Sequence, residues 1–319
     1  MKNLIASLLS AAVVLTALPF SSYAQDAEEP SLAPHKQRLM QETIVALRYN
    51  PLGLAVKSRA EYQYKLYESK ERLYERNYIA PGLFLDFTPA NIKIGPTLAV
   101  QPLTILRLSA GYYFLNYFGT FNRLQSFTSL DDNFSDDQQR ADEDAAYATS
   151  GSVLQLGAKF EVKVKEFAFR STNRAMKFSL DTANDEPLFY ESELDLLVEA
   201  DGWAYQVDND FLYFTDFGLI AGVRHTYATA FYSDAASATN TSGESAGVNH
   251  RAGPFFAYRF HTDPLEERTF YNEPTLVLLV NWYLQHTYRA GGDRTDSSSQ
   301  AMPYIAMAFR FTGDIIDID

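Results

Sequence analysis

The segment LGLAVKSRAEYQYKLY, residues 52–67, alternates strictly between two kinds of side chain. From Leu52 to Leu66 every even-numbered residue is apolar or small, and the odd-numbered residues between them are small, polar or charged. Because a β-strand sends successive side chains to opposite faces, this segment predicts a strand with one apolar and one charged face. At about 3.3 Å per residue it is long enough to cross the hydrocarbon layer of a membrane, even when tilted.

A strand of a membrane barrel turns its apolar face to lipid and its polar face to the lumen. The residues predicted to face lipid are Leu54, Val56, Tyr62 and Tyr64. The residues predicted to face the lumen are Lys57, Arg59, Glu61 and Lys65. A soluble sheet with its apolar face towards a core gives the same pattern, so the rest of the chain has to decide between the two.

The same alternation recurs along the chain. We count about twelve segments, within a range of ten to fourteen, of roughly 10–15 residues each, whereas strands in soluble sandwiches more often have about 5–6 residues. The segments are 52–67, 74–87, 92–101, 105–117, 153–165, 167–180, 188–198, 203–214, 219–232, 251–261, 275–289 and 301–311. Long strands with one apolar and one charged face favour an all-β, antiparallel, up-and-down transmembrane barrel.

Two of these segments break the regular pattern. In segment 167–180 the apolar residues change phase, since Phe167 and Phe169 are odd while Phe178 and Leu180 are even, and a β-bulge near Arg174 would explain the change. Segments 188–198 and 203–214 are predicted to form a hairpin over Asp201-Gly202.

The predicted loops test the number of strands. The long polar segments 119–150, 233–249 and 290–299 are predicted to lie on one side of the barrel, so an even number of strands must separate successive loops. Five segments lie between the first two. Either the 201–202 hairpin is one bent strand, or one segment between Phe167 and Phe214 is not a strand.

Composition excludes several classes of protein. Hydrophobic residues make up 46% of the 319 residues and mean hydropathy is −0.22, which is too low for a helical membrane protein. The aromatic content of 14% is typical of the aromatic girdles of a barrel. The absence of cysteine excludes disulfides, Cys-ligated metals and lipidation through a lipobox cysteine, and a net charge of −13 argues against a nucleic-acid partner.

The N-terminus predicts export. Lys2 is followed by an apolar run over residues 4–18 and by Ser22-Tyr23-Ala24, a small-x-small cleavage site, so we expect a signal peptide cut after Ala24. The predicted organisation is a signal peptide (1–24), a periplasmic tail (25–42), a transmembrane barrel (43–312) and a C-terminal tail (313–319). A short helix over residues 36–47 that enters the lumen is the alternative for the end of the first tail.

The export signal, the alternating strands and the aromatic last strand, with Phe309 and Phe311 near its end, resemble those of Gram-negative outer-membrane β-barrel proteins. The resemblance covers roughly residues 43–312 and is one of architecture, so it carries no catalytic residue. One departure is that the chain continues beyond Phe311 for eight residues, Thr312 to Asp319. The resemblance implies an outer-membrane location, with membrane lipid and the barrel assembly machinery as partners, and leaves the oligomeric state open.

Charged residues on the polar faces are the predicted functional feature. The basic residues are Lys57, Arg59, Lys65, Lys93, Arg107, Lys159 and Lys163. The acidic residues are Glu191, Glu193, Asp195, Asp208 and Asp210. Because strands follow one another around a barrel, basic and acidic walls are expected to oppose each other across the lumen, and such charges set selectivity in pores. A narrow pore for small polar or charged solutes is therefore one function, and a plugged structural or surface-contact barrel is the alternative.

An outer-membrane lipid hydrolase is the second alternative. Residues 243–247 match G-x-S-x-G but lie in a loop between strands, without the strand-to-helix turn that this motif needs, so we treat Ser245 as a chance match. His286 is interpreted as an interfacial side chain. No catalytic residue, cofactor or metal ligand is assigned. The acidic segment 131–144 is interpreted as a solvated loop, with Ca²⁺ binding as the alternative.

Overall fold

The computed structural model describes residues 36–242, 247–262, 269–290 and 302–318, and the predicted signal peptide lies outside them. The strands are β1 (Gln37–Tyr49), β2 (Gly53–Lys65), β3 (Tyr78–Phe87), β4 (Asn91–Leu103), β5 (Leu106–Phe118), β6 (Ser126–Phe127), β7 (Ala148–Val164), β8 (Phe167–Leu180), β9 (Leu188–Glu191), β10 (Leu196–Glu199), β11 (Trp203–Phe214), β12 (Leu219–Phe231), β13 (Val248–Arg259), β14 (Asn272–Gln285) and β15 (Tyr304–Ile318). The short helices are α1 (Arg72–Glu75), α2 (Asp136–Ala141) and α3 (Asp234–Ser237), with single 3-10 turns at Glu143–Ala145 and Ala183–Asp185. No helix among the described residues is long and apolar enough to span a membrane.

Twelve of these strands close into one antiparallel barrel, as predicted. Each pairs with its neighbours along the chain, and β1 closes the ring by pairing with both β2 and β15. The short strands β6, β9 and β10 form a separate three-stranded sheet in the order β10-β9-β6. Closure leaves no strand edge of the barrel unpaired, which is the condition for a sheet to lie in lipid.

The two ends of the barrel differ. The connections that follow β5, β8, β12 and β14 leave the barrel at one end, called the loop end below. Two-residue turns at 104–105 and 165–166 lie at the other, the turn end, where β1 begins and β15 finishes. The predicted layout is correct for the connections that follow β5, β12 and β14. It is incomplete, because the short turns 50–52 and 88–90 also lie at the loop end and the connection 66–77 lies at the turn end.

The opening strand faces as predicted. On β2, Leu54 and Tyr64 are exposed on the outer wall of the barrel. Lys57, Arg59 and Glu61 point to the interior, where Glu61 is 1% exposed. Because the exposed face is apolar and the enclosed face is charged, the sheet has the polarity of a membrane barrel rather than that of a soluble one.

The predicted number of barrel strands, about twelve, is confirmed, although the prediction is wrong for two segments. Residues 37–49 form β1, a full strand of the wall, so the predicted tail and the alternative helix over 36–47 are both wrong there. Segment 188–198 is not a wall strand, and β11 pairs instead with β8 and β12. One strand gained and one lost leave twelve, with four strands between the loops at 119–147 and 232–247.

The predicted tails pair with each other. Gln37 lies opposite Ile318 and Met40 opposite Asp314, so β15 extends through most of the predicted C-terminal tail. The guanidinium of Arg38 lies 2.6 Å from the carboxylate of Asp314. The backbone groups of these two segments satisfy one another, which a free tail could not do.

The phase change in β8 has a different cause from the predicted bulge. The register between β7 and β8, and between β8 and β11, is continuous. Phe167 and Phe169 point outwards at the turn end, whereas Phe178 and Leu180 point inwards at the loop end and are buried. The apolar residues change face because this part of the lumen contains a hydrophobic core.

Candidate functional site

The hairpin β9–β10 lies inside the loop end of the barrel. Its four-residue strands pair from Leu196 opposite Glu191 to Glu199 opposite Leu188. The turn is closed where the Leu194 N–H donates to the Glu191 carboxylate at 2.7 Å and the Asp195 N–H donates to the Glu191 carbonyl at 2.9 Å. All of β9 is buried, because both faces of this sheet are covered.

One face of the hairpin packs against the barrel wall. Phe189, Leu194, Leu196 and Val198 are each at most 1% exposed. They contact inward-pointing apolar residues of five neighbouring strands, namely Tyr113, Leu115, Tyr117, Val153, Met176, Phe178, Leu180, Ala204, Ala228 and Ala230. This contact explains why β8 carries apolar residues on its inner face at the loop end.

The other face is covered by the connections of the loop end. Leu188, Tyr190 and Leu197 pack with Leu130, Phe134, Ala236 and Tyr288. The rings of Phe134 and Tyr288 meet edge to face with their centres 4.7 Å apart. The hairpin is therefore the middle layer between the inner wall of the barrel and a cap formed by loops.

The turn of the hairpin reaches into the polar part of the lumen. The Glu193 carboxylate accepts hydrogen bonds from Lys57 and Arg174, both at 2.8 Å, and from Lys93 at 3.4 Å. These cations lie on β2, β8 and β4. Burial alone would raise the pKa of Glu193, but Lys57, Lys93 and Arg174 bring it well below its usual range, so the group is a carboxylate.

Asp195 attaches the turn to the opposite wall. Its carboxylate accepts hydrogen bonds from Arg289 at 2.7 and 3.2 Å, from the Tyr190 hydroxyl at 2.6 Å and from the Tyr283 hydroxyl at 3.2 Å. His286 lies 3.3 Å away. Burial acts to raise the pKa of Asp195, but Arg289 and His286 lower it well below its usual range.

The hairpin turn therefore bridges the lumen. Glu193 contacts β2, β4 and β8, while Asp195 contacts Tyr283 of β14 and the segment that follows it. Asn249 of β13 donates to the Leu194 carbonyl at 2.8 Å. A group that contacts both sides of a ring of strands occupies the passage between them.

The predicted basic residues do not form an unpaired wall. Besides Lys57 and Lys93, most pair with carboxylates on the same or nearby strands. Arg59 contacts Glu42 and Glu61, Arg107 contacts Glu61, Lys159 contacts Glu161 at 2.7 Å, and Lys65 contacts Glu68 at 2.6 Å. The Lys163 ammonium lies 4.7 Å from the centre of the Phe214 ring.

The predicted acidic residues separate into two groups. Glu191, Glu193 and Asp195 are on the hairpin rather than on the wall. Asp208 and Asp210 are on β11, where Asp210 pairs with Arg170 and Arg224 at 2.6 Å and Asp208 accepts from Thr226 at 2.6 Å. Acidic and basic groups thus neutralise one another locally, and the picture of two opposed walls is corrected.

Several residues that contact the hairpin turn or its partners are not predicted from the sequence. Arg174 lies at the phase change of segment 167–180, where the alternation does not say which face a residue is on. Asp86, which lies 3.3 Å from Lys57, follows the alternation of β3 and was detectable from it. Arg289 and His286 lie beyond β14, where alternation gives no information, so only the tertiary structure reveals their contact with Asp195.

The residues considered for catalysis or metal binding, where the structure describes them, make contacts within the loop end of the barrel. Ser245 lies outside the described residues, and His286 is buried against Asp195 rather than placed in an interface. The carboxylate of Asp131, in the acidic loop, accepts hydrogen bonds from Thr241 and Ser242. Among the described residues, no group of three or more His, Asp or Glu side chains could hold a metal ion.

Comparisons with known proteins find only distant structural similarities. No protein-family model matches the sequence, and no curated protein is similar to it. The chain is similar to the translocator domain of the autotransporter NalP from Neisseria meningitidis, with a TM-score of 0.40 and 11% identity over 99% of this chain and 98% of that one. An outer membrane channel from Pseudomonas putida F1 gives 0.40 and 10% over 92% and 100%, and OprD from Pseudomonas aeruginosa gives 0.29 and 8% over 92% and 100%. These similarities carry no functional argument, so the fold assignment rests on the closed ring of strands itself.

Proposed function

We propose that this protein is an outer-membrane β-barrel that the β9–β10 hairpin keeps closed, with a structural or surface-contact role in that state. The observation that carries the proposal is the hairpin turn, which contacts strands on both sides of the lumen through Glu193 and Asp195. The apolar outer wall, on which Leu83 is 63% exposed, supports a location in lipid.

The packing of the hairpin favours the closed state strongly. Seven apolar side chains of the hairpin are each at most 1% exposed: Leu188, Phe189, Tyr190, Leu194, Leu196, Leu197 and Val198. At about 1.5–3 kcal/mol for each buried side chain, moving them into water costs roughly 10–20 kcal/mol, as an upper estimate. Thermal motion alone therefore opens the barrel very rarely.

Recordings from planar lipid bilayers test this role. The purified full chain is expected to insert without producing stepwise conductance at neutral pH. A variant in which residues 187–200 are replaced by a short Gly/Ser linker is expected to conduct, because the linker removes both the apolar layer and the turn that bridges the lumen. Steady conductance from the unaltered chain would contradict the proposal.

A narrow pore for small charged solutes is the second candidate, and the Lys57–Lys93–Arg174 cluster favours it. Once Glu193 leaves, three cations from three strands line the same level of the lumen, and the Asp86 carboxylate beside Lys57 and Lys93 leaves the cluster with an excess of positive charge. Such a cluster attracts anions and repels cations. The hairpin-deleted variant is therefore expected to prefer anions, as measured by its reversal potential in a salt gradient, and a preference for cations would contradict this assignment.

A further inference from the structure

The outer wall of the barrel carries a group of polar side chains on four adjacent strands, β8, β11, β12 and β13. Ser171 on β8, Asn209 on β11 and His225 on β12 are direct neighbours in the register of the sheet. Asn173, Tyr205 and His250 lie beside them and also point outwards, because the residues that alternate with them point into the lumen. We call these six residues the outer-wall patch.

Asn209, at the centre of the patch, lies at the depth of the membrane interior. On β11, Trp203 is exposed at the loop end and Tyr213 at the turn end, six and four residues from Asn209. The ten steps from Trp203 to Tyr213 span about 33 Å along the strand, which a tilt of about 40° reduces to roughly 25 Å, the height of the apolar band of such barrels. Asn209 therefore lies between the two aromatic girdles, where lipid offers no hydrogen bond.

Part of the patch has its hydrogen bonds satisfied internally and part does not. The Tyr205 hydroxyl donates to the Asn173 side-chain oxygen at 2.5 Å, and the Asn173 amide donates to the Ser171 hydroxyl at 3.1 Å. The Asn209 amide forms no hydrogen bond with any group in the described part of the chain. An amide facing hydrocarbon without a partner is unfavourable, so a polar partner from outside the chain is needed.

The two histidines supply complementary groups. Their Nε2 atoms are 2.6 Å apart, so one must donate and the other accept. A neutral imidazole carries one hydrogen, so the donor ring keeps an acceptor at Nδ1 and the acceptor ring keeps a donor at Nδ1. Asn209 likewise offers both a donor and an acceptor. The patch contains no charged Lys, Arg, Asp or Glu side chain, so it is complementary to a second copy of itself.

We propose that the outer-wall patch is the contact of a two-fold symmetric homodimer within the membrane, in which Asn209, His225 and His250 of each copy bond those of the other. This inference rests on the proposed location in a membrane but not on the closed lumen. Other outer-wall polar groups differ, since the hydroxyls of Thr43 and Ser58 lie 3.1 Å apart and bond each other. The outer face of β3 offers only apolar side chains at the same depth, such as Leu83.

Cysteine cross-linking tests the dimer, because the chain contains no cysteine of its own. Val207 lies on the outer face of β11 between Tyr205 and Asn209, so a cysteine there reports on the contact without removing a patch residue. The V207C variant is reconstituted in vesicles at high lipid-to-protein ratio and oxidised, and disulfide-linked dimer is measured on non-reducing gels. The matched control is L83C on β3, six strands around the ring from β12. We expect V207C to cross-link at least tenfold more than L83C, whereas equal cross-linking, or none from V207C, would overturn the inference.

A second measurement keeps the test valid if the cysteine geometry is poor. N209L and H225L replace polar groups with apolar ones of similar size, and each is expected to convert dimer to monomer in mild detergent, as measured by light scattering. The S58A variant, on the far side of the ring, is expected to remain dimeric. Protease protection of the barrel in vesicles reports insertion separately, so a protected chain that stays monomeric contradicts the dimer alone and leaves the membrane barrel intact.

Discussion

Two carboxylates of the hairpin turn, two residues apart, have opposite surroundings. Glu193 meets three cations, whereas Glu191 is buried and accepts a hydrogen bond from the Leu194 N–H. Burial and the nearby Glu193 carboxylate raise the pKa of Glu191, so its charged form is disfavoured. Two glutamates of one turn thus have different structural roles. Glu193 attaches the hairpin to the wall, and Glu191 closes the turn.

Neutralising each carboxylate should separate these roles. We expect Glu193→Gln to weaken seating of the hairpin by about 1.5–3 kcal/mol, since hydrogen bonds to charged groups contribute that much. The readout is the rate at which a thiol reagent modifies V198C, which is buried in the seated hairpin. This rate should rise roughly ten- to a hundredfold. Glu191→Gln keeps an acceptor for Leu194 and is expected to leave the rate unchanged or lower, so equal acceleration by both variants would contradict these roles.

The pH at which the closed barrel opens should depend on the protonation of Asp195 and Glu193. Both have folded-state pKa values below their unfolded ones, so their stabilisation is complete above the unfolded values of about 3.9 and 4.3 and is lost as the pH falls below them. Glu191, whose pKa is raised, opposes this trend in part. We expect the unaltered chain to show no conductance in bilayers from about pH 7 to 5 and to conduct below about pH 4. Asp195→Asn should begin to conduct at a higher pH than the unaltered chain, and equal acid thresholds in the two proteins would refute this role of Asp195.

At the scale of elements, β8 divides into two halves with different apolar surroundings. Phe169 is 41% exposed on the outer wall, and Phe178 is 3% exposed against the hairpin, where its ring meets that of Phe189 edge to face with 5.4 Å between their centres. One continuous strand therefore contributes to the lipid-facing surface at the turn end and to a protein core at the loop end. The inner core fixes where the hairpin sits, and the hairpin in turn covers the apolar residues of the wall.

Alanine at these two positions compares the two halves. Phe178→Ala should lower the free energy of unfolding by about 3–5 kcal/mol, because it leaves a cavity in a packed core. Phe169→Ala should cost clearly less, since lipid fills the space that the ring leaves. Denaturant unfolding of both variants in the same vesicles gives the comparison, and an equal loss at the two sites would show that Phe178 is not packed in a core.

For the whole molecule, closure of the ring depends on the segments at its two ends. Residues 37–42 and 312–318 pair across β1 and β15, and the Arg38–Asp314 ion pair lies within that pairing. A chain that ends at residue 312 is therefore expected to yield less closed barrel than the full chain, as measured by the fraction of protease-resistant protein after folding into vesicles. Asp314→Asn keeps the strand and loses only the ion pair, so it should lie between the two. Equal yields from all three proteins would instead support the prediction that residues 313–319 form a tail outside the barrel.

The sequence by itself determined the barrel and its polarity, because the two-residue period of a strand is a local property that each segment carries. It placed Lys57 and Arg59 inside and Leu54 and Tyr64 outside without any knowledge of neighbouring strands. Only the tertiary structure decided that segment 188–198 lies within the barrel and that residues 37–49 belong to its wall. A period of two does not say which sheet a strand joins, and the pairing of Glu193 and Asp195 with cations on both sides of the lumen depends on contacts between residues far apart in sequence.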